Sequence, residues 1–239
     1  ALMQKRLEIY SPEKLLPKSN VFNIANPFSD RLLLLDLDNG IDQSELISLS
    51  TFRETFSSSR KQNPNKLGIL TGRSIKAARL KYQELCLPEP AVWICRAGTE
   101  IYYNSDNKFD ATWQLFIQTD WDRELVEKTL SSLKTHMSLQ SNDQQSLYKV
   151  SYLLKDPGES ILPLIRKRLR NNGQAALPYL RCHWYLDVVP LRASRTEAIR
   201  YLSLRWGLSL QNVYVVASQQ GDAELVRGLT TAVVPFEHD

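Results

Sequence analysis

Cysteine and glycine are scarce in this sequence of 239 residues, and long hydrophobic runs are absent. The three cysteines, Cys86, Cys95 and Cys182, are odd in number and none is spaced as Cys-x-x-Cys, which argues against a disulfide framework and fits a reducing compartment. The nine glycines include no Gly-x-Gly, so a dinucleotide-binding loop and a P-loop are both excluded. No apolar run approaches the ~18 residues of a membrane span, and no signal peptide precedes the first charges. We therefore expect a cytoplasmic protein without membrane contacts.

The composition is that of a folded globular protein, with 43% apolar residues, 23% charged residues and a net charge of +4. The positive charge is concentrated in residues 166–205, which contain nine Lys or Arg residues and only two acidic residues, Asp187 and Glu197. Such a run is most often a solvated face, and the functional alternatives are attraction of an anionic substrate and docking of an acidic protein. No nucleic-acid-binding motif is present, so we expect no nucleic-acid partner.

Short apolar runs alternate with segments of helical periodicity in the first and last parts of the chain. This alternation predicts an α/β fold with a parallel sheet. The predicted strands are 31–36, 66–70, 91–95, 100–103, 213–216 and 231–234, and the predicted helices are 43–60, 74–85 and 196–205. Gly207 is placed to end the last of these helices.

The middle of the chain follows a different order, which predicts a helix, a strand, a basic helix and a second strand. These segments are 121–135, 147–154, 161–170 and 181–189. We interpret them as an inserted α/β cap. The predicted domains are an N-terminal arm at 1–30, a core at 31–112 and 188–239, and a cap at 113–187.

Two carboxylates, Asp36 and Asp38, stand where the first buried strand ends. Residues two apart in a strand point to the same side, and ligands of open α/β sheets bind at the carboxyl ends of the strands. One carboxylate can attack phosphorus as a nucleophile and the other can serve as general acid and base. A role in an exposed turn or a cap remains the alternative for this pair.

A hydroxyl stands at the corresponding end of the second strand, in Leu70-Thr-Gly-Arg-Ser74. Thr71 and the free backbone N–H groups at this strand-to-helix turn suit a phosphate oxygen. The alternative is that Thr71 only caps the following helix.

Together these residues resemble the haloacid dehalogenase (HAD) superfamily of phosphohydrolases. The segments that carry the likeness are DLDN (36–39), LTGRS (70–74), AGTEIYY (97–103), YKVSY (148–152) and LDVVPLRASRTEAIRYLSLRWGL (186–208). Within the superfamily they resemble sucrose-phosphate phosphatase, and even more the phosphatase-like C-terminal domain of sucrose-phosphate synthase. The resemblance implies a Rossmann-like parallel-sheet core with an inserted cap.

The resemblance also implies roles for individual residues. Asp36 matches the nucleophile, Asp38 the general acid and base, and Thr71 with Gly72 the phosphate-binding turn. Arg195 stands where the family usually has Lys and is expected to bind the phosphate; without the family it would be a surface residue at a helix start. The stretches that recognise sugar contain Gly98, Thr99, Glu100 and Lys149, of which Glu100 and Lys149 have a structural ion pair or solvated charges as the alternative.

The metal motif departs from the family pattern. The resemblance places Mg²⁺ at Asp36, the Leu37 carbonyl and Asp222, but Ser218 replaces the expected acid. Asp222 has a plain role at a helix N-terminus as its alternative. Because Mg²⁺ is held by few protein carboxylates, this replacement predicts Mg²⁺ binding that is weak or absent.

These departures give two functional hypotheses. The first is a sucrose-6-phosphate-phosphatase-like domain of sucrose-phosphate synthase, a glycosyltransferase of sucrose biosynthesis, with lost or weak phosphatase activity and a regulatory or phosphatase-docking role. Its expected partners are sucrose 6-phosphate or sucrose, a sucrose-phosphate phosphatase, and the glycosyltransferase domain of its own chain. The second is an active Mg²⁺-dependent sucrose-6-phosphate phosphohydrolase that acts through an aspartyl-phosphate intermediate.

Overall fold

The computed structural model describes residues 31–38, 46–62, 65–103, 108–156, 159–181, 183–216 and 230–233. The predicted arm at 1–30 lies outside these residues. None of the helices in the described ranges combines the length and hydrophobicity that a bilayer-spanning segment requires.

A large sheet of seven strands forms the core. Its spatial order is β11-β10-β1-β2-β3-β4-β5, and the first five of these strands run parallel. The antiparallel pairs β3–β4 and β4–β5 form one end of the sheet. The strands are β1 (Leu32–Asp36), β2 (Lys66–Leu70), β3 (Val92–Cys95), β4 (Glu100–Tyr103), β5 (Lys108–Phe109), β10 (Val213–Val216) and β11 (Thr231–Val233).

Helices cover both faces of this sheet, which explains why its central strands are continuous apolar runs. On one face, Phe56 of α1 (Leu46–Gln62) and Tyr82 of α2 (Ile75–Gln83) are buried against the strands. On the other, α3 (Ala111–Ile117) and α6 (Arg195–Trp206) bury Trp113 and Leu202. The predicted α/β architecture with a parallel sheet is confirmed.

The start and end of α6 follow from local sequence. Ser194 caps the helix, since its hydroxyl accepts a hydrogen bond from the Glu197 amide. Gly207 ends it in the left-handed region, at φ 65°, as the sequence predicts. Ser194 at the helix N-terminus therefore fixes Arg195 as the first residue of α6, next to the end of the large sheet.

A second, antiparallel sheet of four strands, which we call the cap, is built from the predicted cap residues and continues to Pro190, beyond the predicted boundary at 187. Its strand order is β6-β7-β9-β8. Its elements are α4 (Arg123–Leu130), β6 (Met137–Leu139), β7 (Val150–Leu154), α5 (Leu162–Asn171), β8 (Ala176–Arg181) and β9 (Tyr185–Pro190). Apolar side chains of α4 and α5 pack on one face, among them Val126 and Ile165. The other face carries Lys149 at the entrance to β7, Ser151 and Asp187, all of which are fully buried.

The structure contains elements that periodicity did not predict. The segment 181–189, predicted as one strand, is the end of β8, a turn and most of β9. Pro178 obscures β8 in the sequence, yet a proline is tolerated there because β8 is an edge strand. Helix α3 is also unpredicted; it lies at the start of the predicted cap range but packs on the large sheet.

Candidate active site

Three parallel strands end side by side and bring the predicted site residues together. Asp36, the last residue of β1, is in register with Leu70 of β2, which in turn pairs with Ile94 of β3. Thr71 follows β2 directly, and its amide donates to the Ile94 carbonyl. The carboxyl edge of the sheet therefore unites residues that are far apart in sequence, as expected for an open α/β sheet.

Asp36 is fully buried and both of its carboxylate oxygens are hydrogen-bonded. Oδ1 accepts the Asp38 amide at 2.9 Å, and Oδ2 accepts Nη1 of Arg195 at 3.1 Å. Arg195 is 5% exposed and its guanidinium lies over the Tyr179 ring, 5.7 Å from the centroid. It is therefore not the surface residue that its position at a helix start would suggest.

Asp38 lies in the turn after β1, and its carboxylate contacts the turn after β2 that the sequence predicts to bind phosphate. Its carboxylate accepts hydrogen bonds from the Thr71 hydroxyl at 2.9 Å, the Gly72 amide at 2.5 Å and Nε of Arg73 at 3.1 Å. Burial would raise the pKa of Asp38, but nearby positive charges and hydrogen bonds stabilise its anion and lower the pKa overall. These groups are Arg195, the Gly72 amide, the Thr71 hydroxyl and Arg181. The turn thus holds an ionised carboxylate, and Ser74, not Thr71, caps α2.

A buried ionic cluster on the cap adjoins this turn. Lys149 Nζ lies 3.3 Å from the Gly72 carbonyl oxygen and 3.5 Å from Oδ1 of Asp187. Asp187 also accepts hydrogen bonds from the Ser151 hydroxyl at 2.6 Å and Nε of Arg181 at 2.9 Å. The cluster links the cap to the core at Gly72.

The pKa shifts in this cluster follow from burial and charge. Burial would raise the pKa of Asp187, but Lys149, Arg181 and Ser151 overcome it, and the pKa is lowered. For Lys149, burial lowers the pKa by more than Asp187 raises it. Of the alternatives for Lys149, the ion pair is the one observed, with Asp187 as its partner. Glu100 is paired with Arg96 at 3.2 Å.

The loop between β3 and β4 holds two of the predicted sugar-binding residues in contact with the protein's own backbone. Gly98 has a φ of +95°, and a Cβ placed on it would lie 2.5 Å from the Ser194 carbonyl carbon. The Thr99 hydroxyl donates to the Arg96 carbonyl at 3.0 Å. Arg96 reaches the cap, where its Nη1 donates to the Gln145 carbonyl at 2.8 Å. The loop thus supports α6 and the cap, and sugar binding by Gly98 and Thr99 stays a prediction.

Residue-by-residue reading missed Arg181 and Asp187 as parts of this site. The sequence presents both only as charges in the run 166–205. The register that sets Ser151 opposite Asp187 joins two strands that other cap elements separate in sequence. Alternation in Tyr148–Tyr152 places Lys149 and Ser151 on one face, and this was the available signal.

Of the predicted metal set, the structure describes Asp36 and the Leu37 carbonyl, which offer the oxygen donors that Mg²⁺ prefers, and phosphatases of the HAD superfamily generally use this ion. The Leu37 carbonyl accepts a hydrogen bond from the Lys81 ammonium at 2.8 Å, so a cation at that oxygen would meet a positive charge. The metal role of Leu37 stays a prediction. Asp36 already bonds Arg195 and the Asp38 amide, while Ser218 and Asp222 lie outside the described residues. The described ranges contain no cluster of three His, Cys, Asp or Glu residues suited to a metal.

Curated relatives match only part of their own length. Sucrose-phosphatase 1 of Nicotiana tabacum is 29% identical over 201 residues, covering 81% of this chain and 47% of that protein. Sucrose-phosphate synthase of Zea mays is 31% identical over 164 residues, covering 59% of this chain and 15% of that protein. This chain therefore spans less than half the length of either relative.

A solved structure and a family model complete the comparison. The sucrose-phosphatase of Synechocystis, solved in complex with sucrose and phosphate, superposes with a TM-score of 0.76 at 24% identity, over 86% of this chain and 82% of that one. Further matching structures are haloacid dehalogenase-like hydrolases, so the fold is HAD-like. The family model for sucrose-6F-phosphate phosphohydrolase matches residues 29–239. This chain belongs to the sucrose-6F-phosphate phosphohydrolase family.

Proposed function

We propose that this chain is the sucrose-6-phosphate-phosphatase-like domain of a cytoplasmic sucrose-phosphate synthase, with phosphatase activity that is lost or weak. In this proposal the domain recognises sucrose 6-phosphate or sucrose and serves in regulation or in docking a sucrose-phosphate phosphatase. The partial matches to both kinds of relative support the assignment. The sucrose and phosphate in the Synechocystis structure support the ligand class.

The hydrogen bonding of Asp38 is the observation that carries the proposed loss of activity. Its carboxylate accepts hydrogen bonds from the Thr71 hydroxyl and the Gly72 amide, which are the donors that a transferred phosphoryl group would need. A general acid must be protonated near the working pH, and efficient acids have raised pKa values. The lowered pKa of Asp38 has the opposite direction, which favours the anion and opposes proton donation.

The surroundings of Asp36 support the same conclusion. A carboxylate nucleophile attacks through an oxygen lone pair, and here Oδ2 is bonded to the Arg195 guanidinium. A planar guanidinium can contact two carboxylates at once, and Arg195 Nη2 lies 3.6 Å from Oδ2 of Asp38. The pairing stabilises the ground-state carboxylate and makes its attack on phosphorus less favourable.

The competing proposal, an active phosphohydrolase, is favoured by one observation. Asp36, Asp38 and Thr71 converge at one edge of the sheet, where the family places its nucleophile, acid and phosphate-binding hydroxyl. In that proposal Asp38 leaves the turn when substrate enters, and Asp36 attacks phosphorus as the bond from phosphorus to the sugar oxygen breaks and protonated Asp38 gives its proton to that oxygen. The Asp38 carboxylate then accepts a proton from the water that hydrolyses the aspartyl phosphate and frees Asp36. Mg²⁺ would lower the charge repulsion between Asp36 and the phosphoryl group.

A hydrolysis assay separates the two proposals. The chain is incubated with sucrose 6-phosphate over a titration of Mg²⁺, with Asp36→Asn as the matched control, and released phosphate is measured. We expect no turnover above that of Asp36→Asn, and a gain when Ser218→Asp restores the acid. Rapid wild-type turnover that Asp36→Asn abolishes would instead establish an active phosphatase.

A further inference from the structure

Arg181 reaches from the cap to the phosphate-binding turn of the core. It is the last residue of β8, and its side chain is 17% exposed. Its Nε is bonded to Asp187 at 2.9 Å, and its guanidinium lies over the Tyr185 ring at 5.7 Å. These contacts hold the side chain in one orientation.

That orientation places the guanidinium beside Gly72. A Cβ on Gly72 would lie 3.2 Å from Nη1 of Arg181 and 3.3 Å from Oδ2 of Asp38. The space above Gly72 is therefore lined by the guanidinium on one side and the Asp38 carboxylate on the other. The absence of a side chain at residue 72 allows the guanidinium and the carboxylate to approach the turn this closely.

The charges around this space favour an anion without a metal ion. Four cationic side chains face three carboxylates, and one of the carboxylates, that of Asp38, already stands in the turn. The cations are Arg73, Arg181, Arg195 and Lys149, and the carboxylates are Asp36, Asp38 and Asp187. Charge interactions in such a buried site are stronger than in water. Displacing Asp38 by an external anion would leave this excess of positive charge to hold it.

We propose that Arg181 of the cap and Arg195 of the core form a clamp that binds a phosphate monoester at Thr71 and Gly72 independently of Mg²⁺. In the structure the Asp38 carboxylate occupies the Thr71 and Gly72 donors that this phosphate would take. Guanidinium groups match phosphate oxygens in pairs, and the Thr71 hydroxyl and Gly72 amide add two donors. The inference rests on the proposed function for its ligand class and assigns Arg181 a role that the family resemblance does not.

In the clamp, the cap and the core each contribute one arginine to the bound phosphate. Arg181 belongs to the cap sheet, whereas Arg195 belongs to α6 of the core. A bound phosphate would therefore hold the cap against the core, next to the existing contact between Lys149 and the Gly72 carbonyl. Binding without turnover would then give the domain two states, which suits a regulatory module.

Calorimetric titration of inorganic phosphate into the full chain tests the clamp. We expect equal affinity, within about twofold, in EDTA and in Mg²⁺. Arg181→Gln should weaken binding at least tenfold, and Arg181→Lys should give an intermediate affinity, because an ammonium keeps the charge but not the paired donors. Arg170→Gln, at an exposed arginine of α5, is the matched control and should leave the affinity unchanged.

Two outcomes would overturn the clamp: phosphate binding that requires Mg²⁺, or unchanged binding by Arg181→Gln. Thermal unfolding of each variant shows whether it is folded, and Arg181→Lys decides the question if Arg181→Gln is not. The outcome of the hydrolysis assay is independent of the outcome of this titration. Rapid turnover would remove the proposed loss of activity, whereas the titration in EDTA would still decide the role of Arg181.

Discussion

The basic stretch 166–205 contains two groups of residues that share a positive charge but differ in burial and in their partners. Arg181 and Arg195 are largely buried, paired with Asp187, Asp36 and Asp38, and stand at the candidate site. Arg166, Lys167 and Arg170 lie exposed on α5, which packs on the opposite face of the cap sheet. A local charge sum therefore describes no single surface. We call Arg181 and Arg195 the inner group and Arg166, Lys167 and Arg170 the outer group; of these two groups, the inner one has the buried environment that suits anion binding.

The periodicity of the two elements explains the division. In α5, Ile165 and Leu169 recur at helical spacing and are buried, so the residues between them turn to solvent. In β8, alternate residues point to the same face, which sets Tyr179 and Arg181 together on the site side. The solvated face predicted as one alternative thus holds for α5, whereas the arginines of the site belong to a strand and a helix start.

Removing the charge of Asp187 should have the largest effect on the inner group. Asp187→Asn leaves Lys149 and Arg181 buried without their carboxylate, and breaking a buried pair in this way costs about 3–5 kcal/mol of unfolding free energy. Denaturant unfolding measures the loss. Asp120→Asn is the matched control, because Asp120 is half exposed and its oxygen lies 3.8 Å from Arg192; its loss should stay below ~1 kcal/mol. Equal losses would show that the buried cluster is no more important than a surface pair.

The pH dependence of that difference sharpens the comparison. Because the pKa of Asp187 is lowered in the folded protein, the stabilisation from its ionised form is complete above the unfolded pKa of about 3.9. It is lost as the pH falls from that value towards the lower folded pKa. We expect the stability gap between wild type and Asp187→Asn to be constant from pH 7 to about 5 and to shrink below pH 4. Urea unfolding at each pH measures the gap. A gap that stays constant down to pH 2 would contradict the lowered pKa.

How much of the site could be predicted depends on whether the contacts run along the chain or across it. Asp36 and Thr71 were predictable because each follows an apolar strand of a parallel sheet, and such strands end at a common edge. Ser194 and Gly207 likewise mark the ends of α6 by local rules. These features can be predicted because each depends only on residues that are close in sequence.

The remainder required three-dimensional pairing. The Ser151–Asp187 register depends on how β7 and β9 align across the intervening elements. The hydrogen bond from Lys81 of α2 to the Leu37 carbonyl likewise depends on the direction that the turn after β1 gives this carbonyl. Neither the side-chain type nor the spacing reports where a backbone carbonyl points.

Charge reversal on the outer group should have the smallest effect. Arg166, Lys167 and Arg170 are changed to Glu together, and Arg168, which donates to Ser132, is retained. Because exposed charges are screened by solvent and salt, we expect the unfolding free energy to change by less than ~1 kcal/mol and phosphate affinity by less than twofold. Unfolding and calorimetric titration at low and high salt measure both. A tenfold loss of phosphate affinity, absent at high salt, would mean that the long-range field of α5 also acts on the site, and the two groups would then form one functional surface.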